Sequence, residues 1–178
     1  LQLSAAEGGY LVLTVEPAFL EEARRELAAR FDLEVLDLDE LFLELLHAEA
    51  EQLGASWEVV LAADAAPAGS TDWTNLQHLV ERTLPVVEQR IRAVRKTCLA
   101  VHPGLLARYG HLNLIAELAA DVGRAGGPAG LWVLAPLNDQ HPLPTLNGKP
   151  IPVISAAQHC RLTHAWLRNE HRAGPVQV

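Results

Sequence analysis

Five short apolar runs, most of them separated by sequence of helical period, constrain this chain more than any single motif does. They are Leu11–Val15 within "GYLVLTVEP", "LEVLDLDE" ending near Asp37 to Asp39, Thr97–Val101, "LWVLAP" and "IPVIS". Runs of four to eight apolar residues without polar alternation suit strands buried on both faces. Strands alternating with helices predict an α/β fold: a mostly parallel five-stranded sheet with helices on both faces. Right-handed crossovers then bring the carboxyl ends of the strands to one edge, where ligands of such sheets bind. That edge would hold Glu16, Asp37, Asp39, His102, Asn138 and Asp139.

The intervening helices carry readable signals. Pro17 suits a first helical turn, Glu21 and Glu22 follow it, and Leu20, Ala23 and Leu27 form the stripe. Asp39 is expected to cap the next helix, which is striped by Leu41, Phe42, Leu45, Leu46 and Leu53. "ASWEVVLAADAA" reads as a short helix capped by Ser56, although its Val59–Val60 pair also suits a strand. Asp72 is expected to cap a long helix striped from Leu76 to Val94, with Pro85 kinking it. Gly104 to Tyr109 reads as a helical turn, and Leu112 to Val122 as a helix stopped at Gly123. "LNDQHPLPTLNGKP" is a polar excursion turning at Asn147-Gly148. Ser155 and Gln158 have capping-box spacing before a terminal helical region, and Thr163 caps its last piece.

A length of 178 residues fits one domain, 1–178, with 1–8 expected to be a flexible N-terminal segment. Acidic side chains outnumber basic ones, 22 to 14, which disfavours nucleic acid as a general partner. The local cluster of Arg90, Arg92, Arg95 and Lys96 lacks interleaved aromatics and reads as compensation of a helix C-terminus. Cys98 sits in an apolar run, which predicts a buried, reduced thiol. With no apolar run long enough to span a bilayer and no visible signal peptide, no membrane partner is expected. The chain has no methionine, so it is expected to be a portion of a longer polypeptide.

A nucleotide site would need glycines that let backbone N–H groups converge, and a lysine to meet the phosphate charge. The turn after the first strand, "TVEPAFLEEARREL", has neither, and Glu16, Glu21 and Glu22 would repel a phosphate. The third strand ends in His102-Pro103-Gly104 where a Mg²⁺-holding or water-activating acid would belong. The result is a degenerate P-loop-like architecture with no phosphate-binding loop and no cofactor. His102 remains a candidate base, with Asp37 or Asp39 assisting, against the simpler role of starting the next helix. His159, Cys160 and His164 match no zinc spacing, so no metal is expected. Ser70 lacks a nucleophile-elbow context, and Trp73 is the tryptophan expected nearest the surface. Glu16, Asn138, Asp139, His141 and Asn147 are the binding candidates. The excursion that holds the last four carries Pro142, Pro144, Gly148 and Pro150, which restrict or bend the backbone, and Leu143 and Leu146, which suit an interface.

"HPGLLARYGHLNLIAELAADVGRAGGPAGLWVLAP", then "LNGKPIPVI" and a terminal "AWLRNEHR", resembles the C-terminal region of the large serine/threonine kinase of phage-growth-limitation, or bacteriophage-exclusion (BREX), defence systems. "FDLEVLDLDELFLELLHAEAEQLGASWEVVLAADAAPAGSTDWTNL" is similar to the stretch before it, so the resemblance covers nearly the whole chain. It implies cytoplasmic phage defence as the setting, and other domains or proteins of a defence complex as partners. The kinase signatures are absent from the chain, so kinase activity does not carry over to it. Two readings follow: a non-catalytic interaction or regulatory module, or a small enzyme that works at the carboxyl edge through His102.

Overall fold

The computed structural model describes residues 8–138, 140, 141 and 143–168. Its centre is β1 (Tyr10–Val15), whose every residue except Leu11 is buried. The other strands of the main sheet are β2 (Leu33–Asp37), β3 (Thr97–Val101), β4 (Gly130–Pro136) and, last in sequence, β7 (His159–Arg161). They lie in the order β2-β3-β4-β1-β7, all parallel. A separate hairpin of β5 (Thr145–Leu146) and β6 (Lys149–Pro150) interrupts the return from β4.

Because side chains alternate across a strand, each strand feeds two cores. Tyr10, Val12, Cys98, Ala100, Leu131 and Val133 face one helical layer. That layer holds α2 (Leu38–Gln52), α3 (Trp57–Ala65), α4 (Thr71–Ala93), α5 (Gly104–Tyr109) and α6 (Asn113–Ala120). Leu13, Val15, Leu99, Val101, Trp132 and Leu134 face α1 (Leu20–Arg30) and α7 (His164–Leu167) on the other side. Arg30 ties those two helices together. It donates to the Trp166 carbonyl at 2.8 Å and lies over the Trp166 ring at 4.4 Å. Cys98 is free and fully buried, and burial pushes its thiol up to about 12. Trp73 is half-buried against Tyr109. Among the described residues no helix is long and apolar enough to cross a membrane.

Several expectations change in detail. "IPVIS" is not the fifth strand. Pro150 precedes it and Pro152 lies within it, and neither can donate to a ladder; Ile151 N–H bonds the Pro144 carbonyl, and Ile154 is 80% exposed. The fifth strand is β7, eight residues later than the start of that run. The Ser155–Gln158 capping box does form, but it closes a single 3-10 turn that leads into β7, not into a helix. Asp37, not Asp39, caps α2: it accepts from the Glu40 N–H at 3.1 Å, because β2 passes into the helix without a loop. Ser70, not Asp72, caps α4, accepting from the Trp73 N–H at 3.2 Å. Asp72 stands in the first turn, where its charge suits the helix dipole. Residues 1–7 of the expected N-terminal segment lie outside the described residues. Gly8 is described, in a left-handed conformation against the Ala129 carbonyl.

Candidate functional site at the carboxyl edge

The chain leaves β1 toward the α1 layer, whereas the segment after β4 returns through the opposite core, where Leu146 and Ile151 are buried. Adjacent strands that send their connections to opposite faces mark the place where such sheets bind ligands. Here that place carries a 3-10 turn in the position of a glycine-rich loop. Glu16 and Pro17–Phe19 form a 3-10 turn with Phe19 N–H on the Glu16 carbonyl, and Leu137 N–H bonds the Val15 carbonyl at 2.7 Å. No row of free N–H groups is gathered as in a phosphate loop, because Pro17 has none and Phe19 spends its own.

The polar cluster lies one strand further on, beyond β3. His102 adopts φ +49°, an uncommon left-handed conformation for a residue with a Cβ. Its Nδ1 lies 2.7 Å from Asp37 Oδ2, and its Nε2 lies 3.9 Å from Glu21 Oε1. His102 therefore joins β3, the β2–α2 junction and α1. Burial works against ionisation of Asp37. The Glu40 N–H, His102 and the Asp39 N–H nevertheless hold its carboxyl below its ordinary value. The Arg24 hydrogen bond likewise lowers Glu21, with help from the nearby charges.

Asp39 has the opposite character. Burial raises its carboxyl above the ordinary value, although the Leu105 N–H at 2.7 Å on its Oδ1 partly offsets this. It thus serves the start of α5. A Cβ at Gly104 would stand 3.0 Å from Asp39 Oδ2, so the glycine lets the carboxylate approach the helix. Asp39, His102, Leu134 and Leu146 line a cavity of about 240 Å³. Glu21, Arg24, Asp37 and Glu40 line a neighbouring, more polar one of about 400 Å³, with His102 common to both. Chemically, the pair offers an imidazole oriented by a carboxylate, beside a second carboxyl raised by burial above its ordinary value.

The remaining predicted site residues are not gathered into this cluster. Glu16 turns toward β7, 3.8 Å from Arg161. Asn138 holds the excursion in shape, donating to Thr145 Oγ1 at 3.1 Å and accepting from Gln140 N–H at 3.0 Å. Asn147 occupies the hairpin turn at φ +50°, and His141 is exposed. Asp139 lies outside the described residues. The hairpin folds back on α5, where Lys149 Nζ caps the Ala107 carbonyl at 2.9 Å. His159 pairs with Thr14 Oγ1 at 2.9 Å. Among the described residues no three His, Cys, Asp or Glu side chains converge to hold a metal ion. In the basic cluster, Arg92 is held by Glu88 and Asp121, and Lys96 by Asp32. Glu21 and Arg24 were missed as cluster members, since only the tertiary approach of α1 to β3 brings them there.

These features define an α/β domain with a five-stranded parallel sheet and a His–carboxylate cluster at its carboxyl edge. The chain is 32% identical over 182 residues to the probable kinase PglW of Streptomyces coelicolor (strain ATCC BAA-471 / A3(2) / M145). The match takes in 97% of this chain but spans only 12% of that relative's length, in a C-terminal region of it. The resemblance to the phage-growth-limitation kinase read from the sequence is thereby borne out. No family model and no solved structure matches the chain.

Proposed function

We propose that this region is a non-catalytic, P-loop-like interaction or regulatory module of a bacterial phage-defence protein of the phage-growth-limitation (BREX) type. The observation that carries this is the turn after β1. Where a nucleotide-binding sheet would place glycines and a lysine, this chain has a closed 3-10 turn started by Pro17 and flanked by Glu16, Glu21 and Glu22. Similarity to a phage-growth-limitation kinase supports the defence setting. The partners would be other domains or proteins of a defence complex in the cytoplasm. The exposed part of the excursion, including Leu143, offers one contact for them. Calorimetric titration with millimolar MgATP tests the absence of a nucleotide site. The expected result is no saturable heat, and sub-millimolar affinity would contradict it.

One observation favours a second reading, the Asp37–His102 pair at 2.7 Å beside two cavities. In that reading the imidazole is a general base in a small enzymatic site. The two readings part at His102, where a base contributes about 10²–10⁴-fold.

A further inference from the structure

We propose that the cavity at the carboxyl ends of β3 and β4 binds an alkylammonium group, its ammonium on Asp39 and its aliphatic stem against the apolar walls. The assignment goes beyond the reading above, which rests on the turn after β1 and the excursion, and it does not depend on whether His102 is a base. The cavity, about 240 Å³ in volume, is lined by Leu20, Leu134, Pro136 and Leu146, with Asp39 and His102 as its polar residues. Leu20 packs with the core beneath α1 and Leu146 belongs to the opposite core, so the cavity lies where the connections after β1 and β4 part to the two faces. Parallel sheets bind ligands at that position, in pockets that are mostly apolar with a few polar groups.

Asp39 has one oxygen to spare. Its Oδ1 accepts from the Leu105 N–H at 2.7 Å, whereas no donor among the described residues meets Oδ2. Oδ2 lies beside Gly104, where an added Cβ would stand 3.0 Å from it, so the missing side chain leaves the oxygen open. A partly buried carboxylate without a counter-charge is costly, and burial raises Asp39 above its ordinary value. The basic groups nearby are already engaged, His102 with Asp37 at 2.7 Å and Arg24 with Glu21 at 2.9 Å. An anion would therefore meet carboxylates, and a neutral donor would leave the charge of Asp39 uncompensated. A primary ammonium brings a full charge to a single free oxygen, whereas the fork of a guanidinium matches two.

The test titrates the full chain with n-butylammonium, butanol and butyrate at constant ionic strength, followed by the amide NMR signals of Gly104 and Leu105. Butylammonium is expected to give saturable shifts with roughly millimolar affinity. Butanol is expected to bind at least about tenfold more weakly, and butyrate not to bind. Asp39→Asn and Gly104→Ala are each expected to weaken butylammonium severalfold. The second keeps the carboxylate and places a methyl against Oδ2, so it decides the matter if Asp39→Asn does not fold. No saturable shift with butylammonium, butanol binding as tightly, or indifference to Gly104→Ala and Asp39→Asn would overturn the proposal. Lysine blocked at both backbone ends distinguishes the source. Binding as tight as that of butylammonium assigns the group to a lysine side chain of a partner, and its exclusion assigns it to a free amine. None of these outcomes bears on the nucleotide titration, so the two proposals fail separately.

Discussion

Asp37 and Asp39 stand two residues apart where β2 passes into α2, and the fold gives them opposite electrostatic characters. Asp37 caps its own helix and holds His102, and its carboxyl titrates below the ordinary value. Its stabilising contribution is therefore complete above the unfolded-state pKa and is lost as pH falls through the folded one. Asp39 is held against α5 in a buried setting, and its carboxyl titrates above the ordinary value. Its contribution is complete below the unfolded-state pKa and is lost as pH rises through the folded one. Urea unfolding across the acid range is expected to show Asp37→Asn flattening the loss of stability on acidification. Asp39→Asn, which resembles the protonated carboxyl, is expected to make the chain no less stable at neutral pH. An Asp37→Asn variant with a steeper acid loss than the parent would refute the assignment. The sequence places both carboxylates at the sheet edge. It does not tell which of them caps, because that turns on whether β2 runs straight into its helix.

At the scale of elements, α4 runs 23 residues through Pro85, a residue that removes one backbone donor and crowds the preceding turn. Its persistence is explained by the face it buries: Leu76, Leu79, Val80, Thr83, Val87 and Ile91. Replacing the exposed Pro85 by Ala is expected to stabilise the chain by about 1–3 kcal/mol, read as a higher midpoint in urea. A lower midpoint would mean that the helix geometry is built around the proline. The strands and helices up to β4 were legible because buried runs and 3.6-residue stripes are local signals. The fifth strand was not. "IPVIS" is more apolar than "HCR", yet Pro150 before it and Pro152 within it unfit it for a ladder, and β7 forms by pairing with β1, 147 residues away. The helix caps were misplaced by two residues for a similar reason. Ser70 and Asp72, like Asp37 and Asp39, are chemically equivalent as caps, and only the backbone path chooses between them.

At the scale of the molecule, the alternation of strands and helices made the parallel sheet legible. The cluster at its carboxyl edge needed the third dimension. His102, Asp37 and Asp39 were readable as candidates from their positions at strand ends, whereas Glu21 and Arg24 join them through the packing of α1. A 3-10 turn follows β1 at the carboxyl edge of the sheet, and a cavity lined by Leu20, Asp39, His102 and Pro136 lies beside it.

His102→Asn in a full-length protein that contains this region separates platform from enzyme most directly. Asn tolerates the left-handed backbone that His102 adopts at φ +49°, so the fold is expected to survive, as circular dichroism of the variant region would verify. The measurement is the efficiency with which phage plate on a host carrying the variant. A non-catalytic module predicts protection within a few fold of the parent. Loss of protection by about 10²-fold or more, the range that removal of a general base produces, with the variant folded and equally abundant, would contradict it.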